Sequence, residues 1–232
     1  MLKTLPCLAE LHSHSLVSDG KSTPEEIILR AVYLGLSAIA VSDHNTFRGS
    51  AIAIESAKKL DLNITVIPAN EVRTIKGDVL VLCEKIPYEE PPREPPLLHD
   101  WASINNCITI AAHPFHVGRK SIGGYLKKYP NYFDAIEVWN PRGIPFLNKP
   151  AMKLAEKFSK PKTSGSDAHI IQELGTSPTR LDTTDCDVYN IINSIRKGKC
   201  SPTINYMKIS TIFNVLKWSI NRRIKKNNSA LY

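Results

Sequence analysis

Residues 7–46 decide the fold class and read CLAELHSHSLVSDGKSTPEEIILRAVYLGLSAIAVSDHNT. The short apolar runs at 7–12 and 37–43 predict β-strands. Between them, the amphipathic stretch 24–34 predicts a helix, with a proline at its first position and a glycine just after its end. A strand, a helix and a second strand in this order are typical of a parallel α/β unit.

The alternation of strands and helices continues to about residue 200. Further strands are predicted at 64–71, 78–83, 107–112, 135–139 and 161–166. Further helices are predicted at 48–60, 97–105, 146–158 and 187–197. Because proline has no amide donor, the proline-rich segment 87–96 is predicted to be a surface loop. The chain is therefore predicted to be an α/β protein with a mostly parallel sheet, closed as a barrel or left open.

The composition is that of one folded domain. The 232 residues are 42% hydrophobic and 22% charged, which argues against a disordered or fibrous protein. No apolar run approaches the roughly 20 residues that cross a bilayer, and the first residues lack the pattern of a secretory signal. We therefore expect a cytoplasmic protein. The five cysteines are scattered without a CxxC pair and are predicted to be reduced core thiols.

Positive charge is concentrated near the C-terminus. From Val188 onwards there are nine basic and no acidic residues, whereas residues 1–187 carry 21 basic and 22 acidic ones. Apolar residues recur at helical spacing from Ile209 to Ile220 among these cations, which predicts a basic amphipathic C-terminal helix. We divide the chain into a main unit, 1–200, and a basic extension, 201–232, that packs on the main unit through its apolar side or projects from it. Weak contact of the extension with nucleic acid is a further possibility.

Histidines and carboxylates recur at the ends of the predicted strands. His12 and His14 form an HxH pair whose side chains point to the same side of an extended strand. The other candidates are Asp19, Asp43, His44, Glu71, His113, Asp167 and His169. Each alone fits a turn or a helix cap, but so many carboxylates at one edge raise one another's pKa unless cations lie between them. Their recurrence therefore favours a site for several metal ions.

Six motifs resemble, in order and spread, those of the PHP (polymerase and histidinol phosphatase) domain phosphoesterases. They are ELHSHS with SDG (10–20), VSDHNT (41–46), ANEV (69–72), AAHP (111–114), AIEVWN (135–140) and GSDAH (165–169). The resemblance covers about the first 175 residues. It implies a distorted seven-stranded (β/α) barrel that holds two or three divalent ions, zinc, manganese or iron, at the carboxyl ends of its strands.

The resemblance also implies which residues hold the ions. His12, His14, Glu71 and Asp167 would hold the first ion, Glu71 and His113 the second, and Asp19, His44 and His169 the third. Asp43 would be a supporting carboxylate that fixes the tautomer of a histidine.

Asp78 departs from the family pattern, because many members have a histidine at this position. Asp78 is either an oxygen ligand of the second ion, which would favour a harder ion such as manganese, or a turn residue beside a weak or empty second site. Glu137 is expected to support the site without binding metal.

The implied reaction is hydrolysis of a phosphate ester by attack of a metal-bridged hydroxide. Arg119 and Arg142 are the candidates for binding the substrate phosphate. His116 is the candidate catalytic proton donor to the leaving group.

The substrate is expected to be nucleotide-like. The pattern is most similar to small family members that act on 3′,5′-nucleoside bisphosphates or on the 5′ end of oligonucleotides. Those enzymes carry an inserted domain, for which the 41 residues between Glu71 and His113 leave no room. Histidinol phosphate phosphatase is therefore an alternative, and a barrel that binds nucleic acid or a partner without catalysis is another.

Overall fold

The computed structural model describes residues 7–229, and the side chains only as far as residue 222. The strands are β1 (Cys7–Glu10), β2 (Ala38–Ala40), β3 (Thr65–Ile67), β4 (Ala69–Thr74), β5 (Gly77–Cys83), β6 (Cys107–Ala111), β7 (Ala135–Trp139), β8 (Lys162–Ser164), β9 (Thr179–Leu181) and β10 (Cys200–Pro202). The α-helices are α1 (Pro24–Tyr33), α2 (Arg48–Lys59), α3 (Pro95–Ile104), α4 (Gly123–Lys128), α5 (Asn148–Lys157), α6 (Val188–Arg196) and α7 (Ile209–Ser229). Each described helix is too short or too polar to span a bilayer.

The strands form two mixed five-stranded sheets, which confirms the α/β class. The first sheet has the order β10-β9-β1-β2-β3, and the second has the order β4-β5-β6-β7-β8. The β1-β2-β3 and β6-β7-β8 ladders are parallel, whereas β9, β10 and the β4-β5-β6 ladder are antiparallel. Across the described residues the sheets do not close into the expected seven-stranded barrel. They meet at two single bridges, Ser13–Ala168 and His44–Glu71.

Pro68 explains much of this difference. The sequence predicts one strand over 64–71, but proline has no amide to donate and interrupts the ladder there. Before Pro68 the chain pairs with β2 as β3. After it the chain crosses to the second sheet and pairs with β5 as β4.

Most predicted helices are present within one or two residues of their expected ends. The helix α1 begins with a capping box, in which Thr23 and Glu26 each accept a hydrogen bond from the other's backbone. The prolines do not all lie in a loop, because Pro95 starts α3. Strands β9 and β10 were not predicted, because a strand of three residues is too short to show a recognisable hydrophobic alternation. Because β10 ends at Pro202, the proposed boundary at residue 201 falls inside a strand.

Four of the five cysteines are paired, so the prediction of reduced thiols is wrong for them. Cys83 and Cys107 lie opposite each other on β5 and β6, and Cys7 is joined to Cys186. Cys200 is free. The paired cysteines are 179 and 24 residues apart in the sequence. The sequence did not reveal the pairs, because only the folding of the sheets brings these cysteines together.

The helix α7 packs with the opposite side to the one expected. Its large apolar side chains are 44–74% exposed: Ile209, Ile212, Phe213, Leu216 and Ile220. Thr211 is buried and Trp218 is half-buried on the other side of the helix. The side of α7 that carries Thr211, Trp218 and Ser219 therefore faces the body of the protein, whereas most of its large apolar side chains face solvent, unlike the usual arrangement of an amphipathic helix. The basic residues from 223 onwards lie outside the described side chains.

Candidate metal centre

Seven of the nine predicted metal-binding residues line one cavity of about 780 Å³, and the other two, His12 and His14, are buried next to Glu71. They come from segments that follow β1, β2 and β8, from β4 and β5, and from the end of β6. The two bridges between the sheets, Ser13–Ala168 and His44–Glu71, lie among them. The loop ends of both sheets therefore meet at this point, and side chains from more than 150 residues of sequence come together.

All nine candidates fall into four overlapping groups. Within each group, one possible ligand atom per residue lies within 4.8 Å of the others. The groups are His14, Asp19, His44 and His169; His12, His14 and Glu71; His12, His113 and Asp167; and Glu71, Asp78 and His113. The overlap is the pattern expected of adjacent ions that share ligands.

Glu71 lies at the centre of these groups. Its Oε1 is 3.0 Å from His113 Nε2 and 3.5 Å from His12 Nε2. Its Oε2 is 2.9 Å from His44 Nδ1 and 3.2 Å from His14 Nε2. One carboxylate therefore contacts four imidazoles and is 1% exposed.

A second carboxylate, that of Asp19, lies close to three imidazoles. Asp19 Oδ1 lies 3.3 Å from His169 Nε2, 3.7 Å from His44 Nε2 and 3.9 Å from His14 Nδ1. Asp19 is more exposed than Glu71 and faces the mouth of the cavity.

Many polar atoms of the centre are buried without a hydrogen-bond partner. They are His12 Nε2, both ring nitrogens of His14, Asp19 Oδ1, His44 Nδ1, Glu71 Oε2, Asp78 Oδ1 and His113 Nδ1. Each buried polar atom without a partner costs roughly 1–3 kcal/mol. Imidazole nitrogens and carboxylate oxygens are ligands of zinc, manganese and iron. The donor set therefore fits divalent metal ions.

Most of the histidines are held in the neutral form that binds metal. Burial lowers the pKa of His14 well below its ordinary value and that of His169 to about 3. Burial also lowers the pKa of His113. These imidazoles are unprotonated at neutral pH, so each has a lone pair free for a metal ion.

His12 differs from the other imidazoles. Burial alone would lower its pKa, but the carboxylates of Glu137 and Glu71 raise that pKa to about 10. The same negative field favours any cation at the ring, whether a proton or a metal ion. Compared with His14, His113 and His169, His12 therefore has the surroundings that most favour a bound cation.

Glu137 positions two of the histidines, in agreement with its expected supporting place. Its Oε1 lies 2.9 Å from His12 Nδ1, and its Oε2 accepts a 2.7 Å bond from the His113 amide. The contact at Nδ1 leaves His12 Nε2 directed at Glu71 and Asp167.

Two further buried carboxylates hold the loops and were not predicted. Glu10 accepts bonds from the amides of His12, Ser166 and Gly175, and burial raises its pKa to about 7. Glu173 accepts bonds from the His169 amide and from Arg142 Nη1. Glu10 opens the ELHSHS motif, but Glu173 has no distinctive spacing in the sequence.

Asp43 does not contact a histidine, which corrects its expected place. Its carboxylate accepts bonds from the Ser15 amide, the Ser15 hydroxyl and the Ser18 hydroxyl. Asp43 therefore fixes the turn that carries Asp19. The sequence could not show this, because Asp43 adjoins His44 in the chain while its side chain points to another loop.

Two site residues have strained backbones. His113 has φ of 27° and Asp167 has φ of 50°, in the left-handed region that non-glycine residues seldom adopt. Such strain costs about 1–3 kcal/mol and is concentrated at functional sites. Both residues turn their side chains into the metal-binding groups at this cost.

The two predicted phosphate-binding arginines line the cavity. Arg119 forms an ion pair with Asp167, and Arg142 donates a 2.7 Å bond to Glu173. Lys120, Trp218 and Arg222 also line it. The last two belong to α7 and were not predicted, because no local pattern links them to the histidines.

His116 is not among the described residues that line the cavity, and its assignment as catalytic proton donor stays a prediction. Its Nε2 lies 3.1 Å from Asn148 Oδ1, and a side chain at Gly143 would collide with its ring. Burial lowers the pKa of His116 to about 4. The ring is neutral at pH 7 and packs behind the site.

Comparison with known proteins agrees with this geometry. Residues 10–137 match the PHP domain model, and residues 145–200 match the model of a PHP-associated region. An error-prone DNA polymerase of Mycobacterium tuberculosis is 41% identical over 138 residues, which are 55% of this chain and 11% of the polymerase. The 5′-3′ exoribonuclease Rnm of Escherichia coli is 38% identical over 66 residues, 28% of this chain and 22% of that protein. The chain therefore spans only a small part of these relatives.

A solved structure shows the same fold. It is a two-domain protein from Bacteroides vulgatus described as containing a predicted PHP-like metal-dependent phosphoesterase. The TM-score is 0.71 at 17% identity, and the match covers 87% of this chain and 65% of that one. The family model covers more than half of the chain, including His12, Glu71 and His113. By its sequence, its fold and the residues gathered at its cavity, the chain belongs to the PHP domain family.

Proposed function

We propose that the chain is a metal-dependent phosphoesterase that hydrolyses a nucleotide-like phosphate ester. One observation carries the proposal: a buried cluster of imidazoles and carboxylates lies at the base of a cavity whose wall carries Arg119, Lys120 and Arg142. The base suits divalent cations, and the wall suits phosphate. The polymerase, exoribonuclease and phosphoesterase relatives support a phosphate ester as the substrate.

We assign the ligands as the motifs suggest. His12, His14, Glu71 and Asp167 hold one ion, and Glu71, Asp78 and His113 hold a second. His14 contacts the third group, in which Asp19, His44 and His169 are the ligands. Support comes from three of the four groups, which correspond to the three ions, while the group of His12, His113 and Asp167 joins the first two. Further support comes from Glu71, whose two oxygens face different sets of imidazoles.

The side chains then have separate tasks. Divalent ions at this centre supply a nucleophilic water at neutral pH and offset the negative charge that develops on the phosphate. Arg119 and Arg142 bind the phosphate oxygens, and Glu173 holds Arg142 in place through its 2.7 Å bond. Glu137 keeps His12 in the tautomer that presents Nε2. Asp43 keeps Asp19 near the mouth by fixing its turn.

The proposal is tested by measuring phosphate release, or mononucleotide release from the oligonucleotide, with purified protein loaded separately with manganese, zinc or iron. The substrates are a 3′,5′-nucleoside bisphosphate, histidinol phosphate and a 5′-phosphorylated oligonucleotide. We expect hydrolysis of a nucleotide substrate with at least one metal. Preference for histidinol phosphate would replace the nucleotide assignment, and no release at full metal occupancy would favour a binding protein.

Asp78 is expected to behave as a ligand. It is 4% exposed, and burial together with Glu71 raises the pKa of its carboxyl to about 7. An ion between Asp78, Glu71 and His113 would relieve this repulsion. We expect Asp78→Ala to remove about one metal equivalent, measured by elemental analysis. Asp78→His should restore it and shift preference from manganese towards zinc, because imidazole is the softer ligand. An unchanged metal content in Asp78→Ala would show a turn residue instead.

We also propose that the main unit comprises residues 1–200, extended by β10 to Pro202, and that the remaining residues form an extension. Helix α7 of this extension lines part of the cavity.

A further inference from the structure

The helix α7 contributes one wall of the cavity. Trp218, Ser219 and Arg222 line it together with the residues of the metal centre. The two guanidinium nitrogens Nη1 and Nη2 of Arg222 lie 3.5 Å from Asp19 Oδ2. The Trp218 ring lies 5.7 Å from the His169 ring. The C-terminal helix therefore reaches the centre itself and not merely its surroundings.

Burial of apolar surface does not explain this position. The apolar side chains of α7, such as Phe213 and Ile209, point to solvent and are 67% and 74% exposed. An amphipathic helix normally buries that side. The contacts that α7 makes with the centre are instead aromatic and ionic. A helix that leaves large apolar side chains exposed while other side chains line a cavity indicates that those other side chains have a function in the cavity.

Trp218 lies close to two guanidinium groups. The Cζ atoms of Arg142 and Arg222 are 5.6 Å and 5.3 Å from the centre of the indole ring. Arg142 is anchored by Glu173, whereas Arg222 is 48% exposed and makes only the long contact with Asp19. An indole ring beside two planar cations offers stacking to a flat aromatic group and charge to an anion.

We propose that Trp218 and Arg222 form a subsite for the part of the substrate beyond the scissile phosphate. The ligand class is a nucleobase attached to a second phosphate. Trp218 stacks on the base, and Arg222 exchanges its contact with Asp19 for the second phosphate. Because Arg119, Lys120, Arg142 and Arg222 all line the cavity, an amine-bearing ester such as histidinol phosphate is disfavoured by charge. This inference rests on the proposed function and specifies its substrate.

The kinetic test compares KM for adenosine 3′,5′-bisphosphate with KM for glycerol phosphate, which has neither a base nor a second phosphate. We expect Trp218→Ala to raise the ratio of the two values about tenfold, the effect of one stacked base. Trp218→Phe should recover most of the loss. Arg222→Gln should raise KM for the bisphosphate about tenfold relative to that for adenosine 5′-monophosphate. Phe213→Ala, on the exposed side of the same helix, is the matched control and should change neither ratio.

A binding measurement separates this inference from the proposed function. Trp101 and Trp139 are 9% and 7% exposed, so Trp218 is the described tryptophan that a ligand in the cavity reaches. In the metal-loaded protein, within the first turnover after rapid mixing, adenosine 3′,5′-bisphosphate should quench the fluorescence of the wild type and of Phe213→Ala but not of Trp218→Phe. Equal changes in KM for both substrates, or no quenching in the wild type, would overturn the subsite. Quenching without hydrolysis under any metal would overturn the proposed function alone.

Discussion

Replacing Glu71 by glutamine is expected to lower kcat/KM by at least about a thousandfold, which is several kcal/mol of the charge stabilisation that metal ions supply. Glu71 contacts four imidazoles at 2.9–3.5 Å and belongs to two of the four groups. A neutral amide has one acceptor oxygen in place of two, so it cannot hold ions on both sides. More than one equivalent of metal should be lost.

Elemental analysis and phosphate release on the same samples measure both effects. Glu55→Gln is the control, because Glu55 is an exposed carboxylate on α2 far from the groups. A circular dichroism melt shows whether the variant is folded. Full metal content with wild-type activity in Glu71→Gln would contradict the shared-ligand assignment.

Glu137→Gln is expected to lower metal affinity or kcat/KM by about 10- to 100-fold, the usual effect of removing a carboxylate behind a metal-binding histidine. Glu137 contacts His12 Nδ1 through one oxygen and the His113 amide through the other. The amide group of glutamine can accept at only one of these positions. Either His12 loses its fixed tautomer or the His113 amide is left without an acceptor.

A double-mutant cycle shows whether Glu137 acts through His12. If it does, Glu137→Gln combined with His12→Ala should be little worse than His12→Ala alone. Additive losses in metal affinity would point to a separate contribution through His113. Glu137→Asp keeps the charge but shortens the side chain, so it changes the distances to His12 and to the His113 amide. A loss as large as in the glutamine variant would assign the effect to geometry.

The motifs made the metal centre predictable because each ligand lies at a recognisable place in the chain. His12 and His14 lie just after β1, and His113 and Asp167 lie just after β6 and β8, whereas Glu71 lies within β4. Parallel strands bring such ends to one edge. The pairing of Asp43 with Ser15 and Ser18, and the burial of His116 against Asn148, have no comparable local sign.

The order of strands and helices follows from local patterns. Alternating apolar runs, helix caps and prolines act within a few residues, so α1, α2 and most strands could be read directly. Pro68 itself could be seen in the sequence, but the sequence did not show that the chain changes its pairing strand from β2 to β5 at this residue. Pairing depends on which strand lies alongside, and nothing in residues 64–71 names that strand.

Contacts between distant parts of the chain decided the rest. The disulfide between Cys7 and Cys186 joins residues 179 apart, and Arg222 meets Asp19 across 203 residues. The amphipathic pattern indicated a helix in this region, but not that the side with Trp218, Ser219 and Arg222 would face the cavity. Side-chain periodicity defines the two sides of a helix, whereas the surface available for packing determines which side is used. The candidate ligands of the centre were thus recognisable from local motifs, whereas the wall that α7 adds to the cavity arises only from the tertiary fold.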